Sequence, residues 1–373
     1  MTASFGGAFA GRTVLVTGHT GFKGAWLSLW LHALGAKVIG YALPPDGAKS
    51  LFEQSGLERV IDSRLGDVRD ASLLTKTLGG TRPEIVFHLA AQPLVRLSYE
   101  QPAETFATNV LGTTNLLEAV RRTDSVRVCA VVTTDKCYEN READYAYREN
   151  DRLGGRDPYS ASKACAELVV SSYRDSFFPT ASRKPPTVSV SSARAGNVIG
   201  GGDWARDRLV PDCIRALTAG REISVRNPRS VRPWQFILDP LSGYLSLAAH
   251  QLASPENGAE AWNFGPSPED ARTTAQTAEL IVRGWGAGCW TAASDDPAAP
   301  HEAGLLKLDS SKAHTRLAWR PVYSADEAVA RTVAWYRKAT EPGFDARSFT
   351  QAQITEYTAA ARKNGLTWAS EPA

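Results

Sequence analysis

The stretch from Arg12 to Tyr41 admits few folds. Arg12-Thr13-Val14-Leu15-Val16-Thr17 is a compact β-branched run, and Gly18-His19-Thr20-Gly21-Phe22-Lys23-Gly24 follows it directly. Residues 25–34 then read as a helix ended by Gly35, and Lys37-Val38-Ile39-Gly40-Tyr41 as the next strand. This is a βαβ unit with glycines at its first turn. Glycines let the backbone come close to a pyrophosphate, and a helix N-terminus offers unpaired N–H groups and partial positive charge. The spacing is GxxGxxG rather than GxGxxG, so the placement between strand and helix carries the argument. A tight turn with nothing bound is the competing reading.

The alternation continues. Residues 59–65 read as a strand ending in Gly66-Asp67-Val68-Arg69-Asp70, with a helix through about Leu78. Residues 83–89 form another strand, and Ala90-Ala91-Gln92-Pro93 ends it with side chains too small to exclude a ligand. Residues 102–122 are apolar-periodic, with Leu111, Leu116, Leu117 and Val120 near one face, which points to core or dimer packing. Asn109 within them reads as a structural partner for neighbouring backbone. A buried strand over 127–133, a helix from 158 and a strand near 188–192 complete the pattern. Strands alternating with helices predict an α/β fold with a Rossmann-type, doubly wound parallel sheet.

The expected organisation is a dinucleotide-binding domain over 1–194, rejoined by about 230–255. A smaller C-terminal substrate-binding domain and a tail take up 195–373. Residues 1–10 read as a frayed leader, Asp239-Pro240 as the cap of an apolar helix, Trp262 to Gly265 as a short returning strand, Ser324 to Glu327 as a capping box, and residues after about Pro342 as a polar tail, helical in part. Asp67 is placed to accept from an adenine amino group. Dinucleotide folds that prefer NAD carry an acid near the end of the second strand, but Gly40-Tyr41-Ala42-Leu43-Pro44-Pro45 has none and no Arg for a 2′-phosphate. The residues alone leave NAD and NADP open.

Composition narrows the partners. A formal net charge of +2 with no long basic block argues against nucleic acid and membrane surfaces, leaving small molecules. The 5 cysteines are widely spaced without CxxC, and the 6 histidines lack HxxxH or HExxH. They predict reduced thiols and no bound metal. Without a signal-type N-terminus or an apolar run of about 18 residues, the cytoplasm is the expected location.

Chemistry concentrates in two segments. Tyr159 and Lys163 lie four apart in a helix-forming stretch, so they stack on one face. An ammonium beside a phenol favours phenolate, which predicts a lowered Tyr159 pKa and a base near neutral pH. Thr134-Asp135-Lys136 stands at the carboxyl end of the 127–133 strand, where such sheets place reacting groups. Further on, the glycine-dense segment from Arg194 to Trp204 reads either as a second phosphate cradle, with Asn197 as a donor, or as a flexible interdomain linker. The basic loop 226–234 offers Arg232 beside Trp234 as a phosphate clamp.

Taken in order, Thr17 to Gly24, His88-Leu89-Ala90-Ala91-Gln92, Tyr159 to Lys163 and Arg194-Ala195-Gly196-Asn197-Val198 resemble the extended short-chain dehydrogenase/reductase superfamily. Thr133 to Asn140, Gly200-Gly201-Gly202-Asp203-Trp204 and Arg232-Pro233-Trp234-Gln235 look like one branch of it, the CDP-D-glucose 4,6-dehydratases. The resemblance implies NAD, held by Gly18, His19, Thr20, Gly21, Phe22, Lys23, Gly24, Asp67, Val68, Leu89, Ala90 and Ala91 with Tyr159 and Lys163. It implies CDP-glucose as substrate, contacted by Asn197, Arg208 and Arg232, and a homodimer or homotetramer serving deoxysugar and O-antigen biosynthesis. Tyr159, helped by Thr134, takes the C4 hydroxyl proton, Lys163 depresses the Tyr159 pKa, and Asp135 is the acid for the departing C6 hydroxyl. Lys136 departs from the wider hexose dehydratase pattern, where Glu is the C5 base; it acts either as a neutral amine or by stabilising the enolate. A nucleotide-sugar 4-epimerase or a non-catalytic dinucleotide sensor of the same fold are the alternatives.

Overall fold

The computed structural model describes residues 2–178, 188–294 and 304–370. The first half alternates as its sequence pattern demands: β1 (Thr13–Thr17), α1 (Phe22–Ala33), β2 (Lys37–Ala42), α2 (Leu51–Ser55), β3 (Asp62–Leu65), α3 (Ala71–Thr81) and β4 (Ile85–His88). Then come α4 (Val95–Glu100), α5 (Pro102–Phe106), α6 (Gly112–Arg121), β5 (Val128–Val132), the short β6 (Ala146–Tyr147), α7 (Pro158–Phe177) and β7 (Ser189–Ala195). The remainder is built from short strands and helices: β8 (Val198–Ile199), α8 (Leu209–Thr218), β9 (Ile223–Val225), β10 (Val231–Pro233), β11 (Gln235–Phe236), α9 (Leu238–Ala253) and α10 (Pro255–Gly258). It ends with β12 (Ala261–Phe264), β13 (Ala271–Thr273), α11 (Thr274–Trp285), β14 (Trp290–Ala292), β15 (Lys307–Leu308), α12 (Ser311–Arg316), α13 (Ala325–Lys338) and α14 (Ala346–Lys363).

Seven strands form one sheet in the order β12-β7-β5-β4-β1-β2-β3, and every neighbouring pair is parallel. Every residue of β4, β5 and β7 is buried, as a sheet covered on both faces requires. Strand order reverses between β1 and β4, and a ligand crevice opens outside the carboxyl ends of the strands at such a point. The chain leaves the sheet after β7 and returns through β12, while α9 packs against β5 and β7. The expected strand–helix order, the short strand at Trp262 and the capping box at Ser324 are all present.

Leu116, Leu117 and Val120 are buried in the core, as expected of residues 102–122, but the run is interrupted by a π turn over Ala107–Leu111. The wider turn slips the helical phase, leaving Leu111 50% exposed and turning Asn109 inward. Three other expectations fail, each for a reason beyond local pattern. Residues 1–10 are no frayed leader: Phe5 and Phe9 are buried, and Phe5 stacks on Trp368 with centroids 4.8 Å apart. The segment after Pro342 is helical in part, as expected, yet it is no tail: α14 packs across α1 and buries Ile354, Tyr357 and Ala361. Asp239 does not cap its own helix. It lies inside the first turn of α9 and accepts from the Val322 amide at 2.7 Å and the Tyr357 hydroxyl at 2.8 Å. Burial pushes its carboxyl up to about 7.

The glycine-dense segment after Arg194 is also no linker. A Cβ on Gly201 would lie 2.0 Å from the Trp335 ring, and one on Gly200 would lie 2.6 Å from Ile237. Glycine is needed there because α13 and α9 come too close for any side chain.

The packing of both chain ends generates a direct test. Trp368→Ala removes a buried indole that stacks on Phe5 and Tyr357. It should cost about 3–5 kcal/mol, read as a lowered midpoint in thermal unfolding followed by circular dichroism. A peripheral tail would leave the midpoint unchanged.

Candidate active site

The first turn forms a cradle by backbone contact. Gly18 has φ +78, and a Cβ on it would sit 2.7 Å from the Ala90 amide nitrogen. A Cβ on Gly24 would sit 2.1 Å from the Gly18 carbonyl oxygen. The turn therefore lies flush against the end of β4 and the start of α1, whose N-cap, Gly21, is extended. The Thr20 hydroxyl donates to the Leu43 carbonyl at 2.9 Å, and the Leu89 and Ala90 amides both donate to Thr17 Oγ1 at 3.2 Å. A cavity of about 1140 Å³ runs from this cradle across the carboxyl ends of the strands. Gly18, Thr20, Gly21, Phe22, Lys23, Gly24, Asp67, Val68, Leu89, Ala90 and Ala91 all line it.

His19 is the exception among the expected cofactor residues. Its ring turns inward over Gly40, where a Cβ would lie 2.3 Å from the imidazole, and Nε2 meets Ser63 Oγ at 2.7 Å. Burial lowers its pKa to about 4, so the ring is neutral and packs between the turn and β2. Asp67 lines the cavity, yet its carboxylate already accepts from the backbone and guanidinium of Arg69. Asn115, which no sequence pattern marked, fixes this loop by donating to the carbonyls of Val68 and Arg69. The cradle fits a dinucleotide: the glycines admit its diphosphate, the α1 N-terminus faces it, and small side chains at Ala90 and Ala91 leave room for a flat ring.

The second device rests on α7. Asp157 caps this helix by accepting from the Ser160 amide at 2.8 Å, and Pro158 occupies its first turn. Tyr159 and Lys163 are then both buried on the cavity side. Lys163 Nζ donates to the Val132 carbonyl at 3.3 Å. The expected depression of the phenol is not found. Burial pushes Tyr159 up to about 12, and the groups that oppose it are the Thr134 hydrogen bond and the Arg208 charge. Lys163 is itself pulled down to about 8 by burial, with Glu167 opposing. Desolvation thus dominates both groups, and Thr134 and Arg208, rather than Lys163, are what favour phenolate.

Thr134, Asp135 and Lys136 sit where β5 ends, in a single 3-10 turn that Thr134 caps. Thr134 Oγ1 lies 2.9 Å from Asp135 Oδ1 and also reaches the Tyr159 hydroxyl. Asp135 is 2% exposed, and its Oδ2 has no hydrogen-bond partner among the described residues. That oxygen packs against Gly196, where a Cβ would lie only 2.8 Å away, so a side chain at this position would press on the carboxylate. Lys23 joins the cradle to this centre. Burial and the Arg208 charge lower its pKa to about 8 against the opposing charges of Asp135 and Asp203.

Asn197, Arg208 and Arg232 line the far wall of the same cavity. Arg208 donates to Asp203 Oδ2 at 2.8 Å, and the Asp203 carbonyl accepts from the Tyr336 hydroxyl at 2.5 Å. Arg232 donates to the Val231 and Gly304 carbonyls at 3.2 Å. The structure therefore brings all five catalytic candidates and the three substrate candidates to one cavity. Sequence reasoning missed Asp203, Asn115 and Glu167. The last was visible as an acid one helical turn beyond Lys163. The five cysteines are free thiols, and no group of residues suited to a metal occurs among the described residues.

A parallel sheet with a glycine cradle and a Tyr–Lys helix at its switch point defines a dinucleotide-dependent enzyme of the short-chain dehydrogenase/reductase class. The model of the GDP-mannose 4,6 dehydratase family matches residues 15–332, and the chain belongs to that family. It is 49% identical over 351 residues to the CDP-glucose 4,6-dehydratase of Salmonella typhimurium, covering 94% of this chain and 97% of the relative. It is 28% identical to the UDP-glucose 4-epimerase of Mycolicibacterium smegmatis over 88% of this chain and 99% of that protein. Among solved structures, the dTDP-glucose 4,6-dehydratase of Streptomyces venezuelae with NAD bound superposes with a TM-score of 0.71. It has 26% identity and covers 87% of this chain and 97% of its own.

The buried lysine has a cost that can be measured. Its folded pKa, about 8, lies below its ordinary value of 10.5. The unfolded state therefore binds more protons between those values, and stability on this account rises with pH across that window. Lys163→Met should raise the thermal midpoint at pH 7, with the gain over the native chain shrinking as pH climbs from about 8 towards 10.

Proposed function

We infer that this enzyme is an NAD-dependent nucleotide-sugar 4,6-dehydratase that converts CDP-glucose to CDP-4-keto-6-deoxyglucose. The observation that carries the reading is Asp135 at the cavity wall, with Oδ1 on Thr134 beside Tyr159 and a buried Oδ2 that has no hydrogen-bond partner among the described residues. An oxidoreductase of this fold needs Tyr159 and Lys163. An acid with a free oxygen next to them is needed only if something must leave from the sugar between hydride transfers. The near full-length likeness to a CDP-glucose 4,6-dehydratase supports CDP as the nucleotide.

Bound NAD⁺ supplies a temporary store for the C4 hydride, which returns to C6 at the end of the cycle. Gly18, Thr20, Gly21, Phe22, Lys23 and Gly24 with Leu89, Ala90 and Ala91 would hold that cofactor, and Lys163 would hold its ribose. Tyr159 removes the C4 hydroxyl proton, and Thr134 steadies the oxygen that results. The C4 ketone acidifies C5–H, and water then leaves from C6 with a proton from Asp135 Oδ2. Lys136 lines the cavity and faces the C5 step, where it removes the proton or balances the enolate charge. Asn197, Arg208 and Arg232 bind the nucleotide diphosphate end. Leu111 at 50% and Leu168 at 59% exposure, on the α5–α6 and α7 faces, support a homodimer. A cytoplasmic location agrees with the lack, among the described residues, of any helix long and apolar enough to cross a membrane.

Incubation with CDP-glucose and NAD⁺ in deuterated water should give a 4-keto product with deuterium at C5. An epimeric sugar without deuterium would replace this reading with a 4-epimerase, and NAD binding without turnover would replace it with a sensor. Tyr159→Phe should lower the rate of C4 oxidation at least about a hundredfold. Asp135→Asn should slow elimination so that reduced cofactor accumulates, seen by its absorbance; unchanged turnover would remove Asp135 as the acid.

A further inference from the structure

Directly beneath the catalytic residues lies a charged pair that the reaction above does not use. Glu167 and Arg194 have side chains only 3% and 4% exposed, and Arg194 Nη2 donates to Glu167 Oε2 at 2.7 Å. Glu167 also accepts from Thr133 Oγ1 at 2.5 Å and Ser192 Oγ at 2.6 Å. Arg194 Nη1 donates to the Tyr138 hydroxyl at 2.7 Å and to the Glu149 carbonyl at 3.0 Å, and its guanidinium lies 4.9 Å over the Tyr138 ring. Tyr138 in turn donates to Asn263 Oδ1 at 2.8 Å, and Asn263 Nδ2 donates to the carbonyls of Tyr147 and Asp309. The network thus joins α7, β5, β7 and β12 through fully buried polar groups.

Its attachment points decide its meaning. Thr133 immediately precedes Thr134, and Tyr138 follows Asp135 by three residues, so the pair grips both ends of the catalytic turn. Glu167 stands one helical turn beyond Lys163 on the same face of α7. Removing two charges from water costs several kcal/mol per ion, and a well-packed apolar pair of equal volume stabilises a fold as well or better. What an apolar pair cannot supply is a set of directional bonds holding Thr133, Ser192 and Tyr138 at fixed heights.

We propose that the Glu167–Arg194 pair is a positioning device that sets Thr134 and Asp135 against Tyr159 and supplies the countercharge beneath Lys163. It rests on the dehydratase reading for its kinetic test, though not for its spectroscopic one. The charged or titratable groups that face Lys163 are Glu167 on its own helix, Cys137 in the turn after β5, His88 at the end of β4 and Lys23 on α1. His88 and Cys137 are buried and uncharged, with the imidazole lowered to about 3 and the thiol pushed up. Lys23 opposes a second cation, so Glu167 is the carboxylate that sustains the ammonium.

Two variants separate geometry from charge. Thr133→Val breaks the anchor beside Thr134 and leaves Glu167 ionised. It should lower kcat for CDP-glucose about tenfold to a hundredfold, with KM changed less than about threefold and the pH profile in place. Glu167→Gln should lower kcat similarly and also move the alkaline limb of kcat to lower pH, because Lys163 loses its proton earlier. In enzyme labelled with ¹³C-lysine, the Lys163 Cε resonance, assigned with Lys163→Met, should titrate at lower pH in Glu167→Gln than in the native chain. A folded Glu167→Gln enzyme with native kcat, alkaline limb and Lys163 titration would overturn the proposal. If Glu167→Gln does not fold, Thr133→Val decides alone, and a native kcat there overturns it. Failure of the native enzyme to turn over CDP-glucose would remove the substrate assignment while the lysine titration still decides the role of Glu167.

Discussion

Burial of charge at the carboxyl ends of β4, β5 and β7 is the constraint on which the rest of this structure depends. Lys23, Asp135, Tyr159, Lys163, Glu167 and Arg194 converge there with little exposure to water. An uncompensated ion in such a place would neutralise or force the fold open. The charges therefore come in balanced contacts: Glu167 with Arg194, Asp203 with Arg208, and Lys163 against the Val132 carbonyl and Glu167. Asp135 Oδ2 is left outside this balance, buried against Gly196 without a hydrogen-bond partner among the described residues.

The same constraint explains why the Tyr–Lys pair behaves differently from its spacing. Four residues along a helix is a purely local relation, and taken alone it predicts an easily ionised phenol. Enclosure by β4, β5 and the turn at Gly196 adds a desolvation cost to both side chains, which raises the phenol and lowers the amine. Thr134 and Arg208 become the groups that favour phenolate. Chemistry at this centre is thus shared among four elements of the fold rather than lodged in one helix.

Local pattern was enough for the features that local physics determines. β-branched runs, the turn at Gly18 and the helix at Pro158 are each written in fewer than about twenty contiguous residues, and the parallel sheet follows from their alternation. The catalytic candidates were legible for the same reason: they stand at a strand end and in the first two turns of a helix. What escaped depends on partners distant in the chain. His19 turns inward because Gly40 leaves a slot, the π turn at Ala107–Leu111 sets Leu111 apart from Leu116, Leu117 and Val120, and the glycines at 200–202 answer to Trp335, Ile237 and Leu51. Asp239 had the composition of a cap, yet it serves Val322 and Tyr357 instead.

The stacking of Phe5 on Trp368 has a consequence for how the molecule is made. The outer wall of α1, which carries the first turn of the cradle, is closed by α14 and by the last described residues of the chain. During synthesis the N-terminal half emerges first, with Trp30 and its neighbours uncovered until α14 has left the ribosome. A chain whose α14 has not yet emerged therefore keeps an apolar face on offer to chaperones.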